Sequence, residues 1–302
     1  MTVQPPPVDA LLKLFPQILE LKDSKVGGFK TVFRAKMKNH DEALKVVQLP
    51  SSSADELGMS FRKESLGRIR REVEALRTCN IPELVKLATI PPTDVSIADN
   101  DYVVYSEEFL SGADLSTLIQ GARKQPPTAS EPELKVLMIA LLRGIQELWS
   151  RGYIHRDIKP GNVMKTLDKA RLFVLLDLGI AFSIQETALT YNHQNRLPIA
   201  TFRYMAPERA YPDQRDNLDY RSDLYSAAVT VYEYGANNHP YAKSHDDPLA
   251  TISRAINEPP KPLKSFREDL SDEFCQTIDQ LLRKKPALRP GNMARLMAIM
   301  EA

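Results

Sequence analysis

The chain of 302 residues has only two cysteines, Cys79 and Cys275, and they lie far apart in sequence. That spacing excludes a disulfide-stapled scaffold and a zinc-ligand cluster, and it favours a reducing, cytoplasmic setting. It also lacks an excess of either charge: 40 Lys plus Arg stand against 39 Asp plus Glu, a net charge of +1. A near-neutral chain is not built to bind nucleic acid in bulk or to lie on a membrane surface. Long apolar runs are missing too. A run such as Val136 to Leu142 falls far short of the roughly 20 residues that a membrane helix needs. The start, Met1-Thr2-Val3-Gln4-Pro5, has no basic-then-apolar pattern, so no secretory leader is expected. There is no internal repeat. What remains, 43% hydrophobic and 26% charged residues, is the composition of an ordinary globular protein. The length suggests about two domains or lobes, each large enough for its own core.

The texture changes along the chain. Pro5-Pro6-Pro7 starts it stiffly, and a short amphipathic piece follows at 8–15. Strand-like runs at 18–21, 32–35 and 43–47 are separated by Gly27-Gly28 and Asn39-His40-Asp41, the pattern of an antiparallel meander. Residues 64–78 carry Ile69, Val73 and Leu76 at helical spacing. Two further strands are expected at 84–90 and 102–107. Beyond Ser111-Gly112 the chain becomes mainly helical. Residues 131–151 hold Leu134, Leu137, Met138, Leu141, Leu142, Ile145 and Leu148 in helical register. Short strands are expected at 163–164 and 172–176, and helices at 221–234, 271–283 and 292–300. The first third thus reads as mostly β with one long helix, the rest as helical.

The densest chemistry lies in His155-Arg156-Asp157-Ile158-Lys159-Pro160-Gly161-Asn162, in the loop after the long helix. Transfer of a phosphoryl group to a hydroxyl needs an acceptor for the hydroxyl proton, a cation near the moving group and ligands for magnesium. Asp157 offers the carboxylate, Lys159 the cation and Asn162 a metal-binding carbonyl oxygen. Fifteen residues after Asn162 comes Asp177-Leu178-Gly179, at the end of an apolar strand. A carboxylate at that place suits a magnesium ion that bridges phosphates.

These motifs resemble the catalytic domain of eukaryotic-type Ser/Thr protein kinases, and the resemblance covers nearly the whole chain. His155 to Asn162 looks like the catalytic loop. Asp177-Leu178-Gly179 looks like the metal-binding triplet, with Leu for the usual Phe. Ala206-Pro207-Glu208 looks like the end of the activation segment, and Ser222-Asp223-Leu224-Tyr225-Ser226 like the start of the large lobe's central helix. Arg289 resembles the arginine that pairs with the Glu208 position, a buried pair that costs about 3–5 kcal/mol to break from one side. Lys45, in Ala43-Leu44-Lys45-Val46, matches the strand lysine that holds the α- and β-phosphates. Asn80-Ile81-Pro82 resembles the loop after the lysine's partner helix and selects Glu72 as that partner. Glu74, the fallback, faces about 200° away at roughly 100° per residue.

The resemblance implies an α+β, two-lobed kinase-like fold: a small antiparallel β lobe with one regulatory helix, and a larger, mainly helical lobe. The implied boundaries are an extension at 1–16, the small lobe with the hinge at its end at 17–110, and the large lobe at 111–302. It implies ATP and Mg2+ as cofactors, with Asn162 and Asp177 on the metal. It implies Asp157, Lys159 and Thr201 as the catalytic set. The nucleotide is expected at Val26, Gly27, Gly28, Val32, Ala43, Lys45 and Glu72, and at the backbone of Glu108 and Leu110. Partners are protein substrates, with a regulatory partner or a homodimer as further expectations, and neither nucleic acid nor membrane. The catalytic-loop style and the compact chain point to a bacterial member.

Three features depart from the family pattern. Of the three glycines in G-x-G-x-x-G-x-V, only the central one remains, in Lys25-Val26-Gly27-Gly28-Phe29-Lys30-Thr31-Val32. Counting back from Gly112-Ala113-Asp114-Leu115 puts Glu107 at the gatekeeper position, where a carboxylate would compete with Glu72 for Lys45. A local bulge would put Ser106 there instead. Finally, Arg156 implies control by an activation-segment phosphate, yet no Ser or Thr lies between Tyr191 and Ala200, which leaves Thr187 and Thr190 upstream. The incomplete glycine loop and Glu107 raise a pseudokinase or scaffold as the alternative. A small-molecule kinase is a third reading, against which the segment from Thr201 to Glu208 and Arg289 stand.

Overall fold

The computed structural model describes residues 5–26, 30–50, 56–122, 129–178, 202–211, 218–243 and 248–302. The chain divides into two compact units, Met1–Asn80 with Val85–Leu110, and Ile81–Leu84 with Ser111–Ala302.

The first unit is built on a five-stranded antiparallel sheet. Its strands are β1 (Glu20–Val26), β2 (Lys30–Lys36), β3 (Asp41–Gln48), β4 (Thr93–Ile97) and β5 (Asn100–Glu108), in the order β1-β2-β3-β5-β4. Directly paired residues share a face, and successive residues alternate. The register Val32↔Lys45, Ala43↔Glu107 and Lys45↔Tyr105 therefore puts Val32, Ala43, Lys45, Tyr105 and Glu107 on one face. The other face carries Phe33, Ala35, Leu44, Val46, Tyr102 and Val104, all buried. Helix α1 (Val8–Leu14) covers that second face with Leu11, and Phe15 and Ile18 follow it into the same core. The strand expected at 18–21 begins two residues later, because Phe15 and Ile18 turn inward: the Ile18 N–H donates to the Phe15 carbonyl at 3.0 Å. Helix α2 (Glu56–Thr78) begins earlier than its apolar pattern suggests and buries Ile69, Val73, Ala75 and Leu76.

The strand expected at 84–90 forms only single bridges, Leu84↔Leu175 and Leu87↔Glu107. Three of its amides are taken by side chains: Lys86 N–H donates to Glu108 Oε1 at 3.0 Å, Thr89 N–H to Glu42 Oε1 at 3.3 Å and Ile90 N–H to Ser106 Oγ at 2.9 Å. Pro91 and Pro92 then bring no N–H to a ladder at all. Glu42 is fully buried on β3. Burial alone would push its carboxyl up, but hydrogen bonds from Ser106, Thr89 and His40 outweigh that and hold it below the usual carboxylate range.

The second unit is mainly helical, and the expected stripe of α4 (Glu131–Ser150) is buried throughout. Ser130 caps its start, accepting from the Glu133 N–H. Among the described residues the other α-helices are α3 (Leu115–Ala122), α5 (Tyr220–Ala236), α6 (Pro248–Asn257), α7 (Asp272–Leu281) and α8 (Met293–Glu301). A small sheet, β6 (Gly112–Asp114), β7 (Val163–Thr166) and β8 (Phe173–Leu175), runs in that order. At Gly112 the backbone has φ +152°, and an added Cβ would meet the Lys165 carbonyl oxygen at 2.1 Å, so only glycine lets β6 pair with β7 there. Helix α5 buries every residue from Ser222 to Ala236, which makes it the centre of this unit.

The segment before and through Ala206-Pro207-Glu208 is pinned from that centre. Ser226 Oγ donates to the Tyr204 carbonyl at 2.8 Å, and Tyr204 OH donates to Glu233 Oε2 at 2.5 Å. Glu208 meets Arg289 through two parallel hydrogen bonds of 2.7 Å. The remaining N–H groups of Arg289 go to the carbonyls of Arg283, Arg221 and Lys284, so all five of its donors are used. His239 closes the arrangement. Its Nε2 donates to the Arg203 carbonyl at 2.9 Å, while Nδ1 accepts from the N–H groups of Tyr241 and Ala242. That pattern requires the neutral ring. Burial, with Arg203 and Arg254 nearby, pushes its pKa down to about 3.

Two outcomes follow from these cores. Leu11→Ala should remove about 2–5 kcal/mol of stability in urea unfolding, because it empties a fully buried site under the sheet. His239 binds its proton in the unfolded chain but not in the fold, so stability should fall as pH drops below the ring's ordinary value toward about 3. A single such ring gives a slope of about 1.4 kcal/mol per pH unit. His239→Asn should make the acid limb of the stability profile shallower by about that amount, measured by urea midpoints from about pH 6.5 to 4.5.

Candidate active site

The loop between α4 and β7 is folded by hydrogen bonds that its own residues supply. Lys159 Nζ donates to both Asp157 oxygens, at 2.9 and 2.7 Å. Asn162 Nδ2 donates to the Asp157 carbonyl at 2.8 Å and to Asp157 Oδ2 at 2.9 Å. The Asn162 amide nitrogen is thereby committed inside the loop, and its Oδ1 is the atom left to act as a ligand. Pro160 to Asn162 form one 3-10 turn, with the Asn162 N–H on the Lys159 carbonyl at 2.9 Å. Proline suits the first position of that turn, since its missing N–H would have no partner there.

Sequence reasoning placed Asp223 only as part of a helix start. The structure makes it the anchor of the loop. Asp223 is 1% exposed, and its two oxygens accept the N–H of His155 at 2.7 Å and of Arg156 at 2.8 Å. Burial pushes its carboxyl up, while His155, these two amides and Arg209 pull it back toward the charged form. Arg156 sits at φ 65° and Asp177 at φ 49°, left-handed conformations that cost a non-glycine residue about 1–3 kcal/mol. The paired bonds to Asp223 hold the first of these, helped by Arg209, whose guanidinium donates to the Arg156 carbonyl. The signal for Asp223 was present as a carboxylate in the first turn of a helix that is mainly apolar and aromatic.

His155 is fully buried and links the loop to the strand that leads to Asp177. Its Nε2 donates to the Leu176 carbonyl at 3.2 Å, and its Nδ1 accepts the Asp157 N–H at 3.2 Å. Leu176 N–H returns a bond to the Asn162 carbonyl at 2.8 Å. Burial pushes the His155 pKa down, which favours the neutral ring this bonding needs. Asp157, Lys159, Asn162 and the backbone before Asp177 are therefore one hydrogen-bonded body.

In the first unit, Val32, Ala43 and Lys45 share a sheet face as expected of a common surface. Val26 pairs with Thr31 instead, which puts it on the opposite face, and it is 53% exposed. The register from Glu42↔Glu108 to Gln48↔Tyr102 is unbroken, so no bulge brings Ser106 to the Lys45 face. Ser106 faces the covered side and holds Ile90, whereas Glu107 is 2% exposed and ion-paired with Lys45. Glu72 Oε1 stands 4.0 Å from Lys45 Nζ and accepts the Tyr105 hydroxyl at 3.2 Å. The Glu108 N–H donates to the Lys86 carbonyl at 3.0 Å. Gly27, Gly28, Thr187, Thr190 and Thr201 lie outside the described residues.

Known proteins resemble this chain over most of its length. A family model described as the protein kinase domain matches residues 25–300. A probable serine/threonine-protein kinase of Streptomyces coelicolor, SCO3848, is 28% identical over 91% of this chain and 38% of its own length. Serine/threonine-protein kinase PknB of Mycobacterium leprae is 28% identical over 76% of this chain and 35% of its own. The chain thus spans well under half the length of these relatives. The crystal structure of the PknI kinase domain of Mycobacterium tuberculosis, in a point-mutant form, shares the fold with a TM-score of 0.61 at 20% identity, covering 94% of this chain and 97% of that one. A loop joining carboxylate, lysine and asparagine, a buried strand lysine and a match over nearly the whole sequence converge on one statement: the chain belongs to the protein kinase domain family.

Proposed function

We propose that the chain is an ATP-dependent protein kinase that phosphorylates Ser and Thr hydroxyls of protein substrates, its own among them. The observation that carries this reading is the body formed by Asp157, Lys159 and Asn162, held by Asp223. The printed names of the relatives, serine/threonine-protein kinases, support the acceptor type.

The family uses ATP with Mg2+. The donor set fits a hard cation: Asn162 can offer only Oδ1, and Asp177 adds a carboxylate, both oxygen ligands of the kind magnesium takes. Bound there, the metal would neutralise charge on the phosphates. Asp157 accepts the proton of the attacking hydroxyl through an oxygen. Its position is fixed before substrate arrives, because the loop bonds leave it little freedom. Lys159, already beside Asp157, steadies the charge of the moving phosphoryl group. In the first unit Val32 and Ala43 give an apolar surface for the base, and Lys45 holds the α- and β-phosphates. Since the Glu108 N–H is committed to Lys86, Glu108 would bond the base through its carbonyl, with Leu110 providing the other backbone contact. Thr201, Gly27 and Gly28 keep the roles that the family pattern gives them, beside Asp157 and at the phosphates.

Both cysteines are free and buried, in keeping with a reducing, cytoplasmic setting. Among the described residues no helix is long and apolar enough to cross a membrane.

Incubation with ATP and magnesium, followed by intact and peptide mass spectrometry, tests the activity. The wild-type chain should gain phosphate on Ser or Thr. Asp157→Asn should do so slower by a factor of at least about 100, with an unchanged melting temperature. Equal incorporation by the variant would overturn the assignment of Asp157 and with it this mechanism.

A further inference from the structure

We propose that Glu107, rather than the helix residue Glu72, is the carboxylate that positions Lys45. The inference rests on the reading of the chain as an ATP-dependent kinase and concerns how its phosphate-binding lysine is held. Lys45, Glu72 and Glu107 are 3%, 8% and 2% exposed, so within the first unit one buried lysine stands beside two buried glutamates. The two do not hold it equally. Glu107 Oε1 accepts a charge-assisted hydrogen bond from Lys45 Nζ, while Glu72 Oε1 stands 4.0 Å away. A hydrogen-bonded ion pair is the stronger contact, and in a buried site the loss with distance is steep. Glu72 is also engaged elsewhere, since its Oε1 accepts the Tyr105 hydroxyl.

The origin of the two carboxylates separates them further. Glu107 is on β5, paired with Ala43, and Lys45 lies two residues further along β3, on the same face. Diagonal neighbours of this kind lie within reach of long side chains. The β3–β5 ladder is continuous from Glu42 to Gln48, so the lysine and this carboxylate are fixed by one set of backbone hydrogen bonds. Glu72 comes from α2, a separate element. The sheet therefore pre-organises Lys45 whatever small shifts the helix makes, and a glutamate at residue 107 is a positioning residue for nucleotide binding.

The test uses the full chain with Glu107→Gln, Glu72→Gln and Glu107→Asp, and two readouts. The first is KM for ATP and kcat in peptide phosphorylation. Glu107→Gln should raise KM for ATP by about tenfold or more with a smaller fall in kcat, and Glu72→Gln by less than about threefold. Glu107→Asp, which keeps the charge, should recover part of the loss even if the amide variant folds poorly. The second readout is the acetylation rate of Lys45 in nucleotide-free protein, followed by peptide mass spectrometry. Loss of the nearer carboxylate frees more neutral amine, so Glu107→Gln should speed the reaction more than Glu72→Gln does. An unchanged or lower KM in Glu107→Gln, which would make Glu107 a lock, overturns the proposal, as does a larger effect from Glu72→Gln in either readout. If the wild-type chain transfers no phosphate, the kinase reading falls, and the acetylation rates alone still decide for or against the Lys45–Glu107 pairing.

Discussion

The second unit depends on one buried carboxylate. Asp223 accepts two consecutive backbone amides, and these bonds, helped by Arg209, hold Arg156 in a left-handed conformation. That conformation directs the chain so that Asp157 follows on the side of Lys159 and Asn162. The carboxylate itself is fixed because α5 is buried along nearly its whole length and starts at an Asp219 cap. Rigid packing of the helix is thus converted into the orientation of a loop more than sixty residues earlier in the chain. His155 carries the same constraint onward to Leu176, and so to the residue before Asp177.

The first unit depends on parity. Alternation along β2, β3 and β5 sorts every side chain into one of two faces, and a shift of one residue would exchange them all. With the observed register, α1 covers an apolar face and Lys45 shares the other with Val32 and Ala43. The same parity decides that Glu107, and not Ser106, stands beside the lysine.

Much of this was legible in the sequence, for reasons that differ by residue. Asp157, Lys159 and Asn162 lie within one short loop, so local spacing fixes their proximity. The α4 stripe was legible because its burial follows a single period. The choice between Glu107 and Ser106 was not, since a bulge leaves no sure mark on composition and only the ladder can exclude it. The run at 84–90 is apolar enough for a strand, but Glu42, Ser106 and Glu108, distant in sequence, take amides that a strand would have used. The helices α3 and α6 went unread because they are short, and their burial is set by partners far along the chain. Asp223 was visible as a residue but not as an anchor, because its function lies in backbone groups that any sequence would provide.

The two lysines proposed to act on phosphates share a physical device. Lys45 is paired with Glu107, and Lys159 with Asp157. A charge-assisted hydrogen bond to a neighbouring carboxylate fixes where the ammonium stands while no anion is present. The carboxylates are not equivalent in what they do next. In the mechanism proposed above, Asp157 would take up the proton of the attacking hydroxyl. Glu107, in the role proposed for it, would act by charge and position alone. A charge whose work is positional gains from sitting on the most rigid element at hand, and in this unit that element is the continuous β3–β5 ladder.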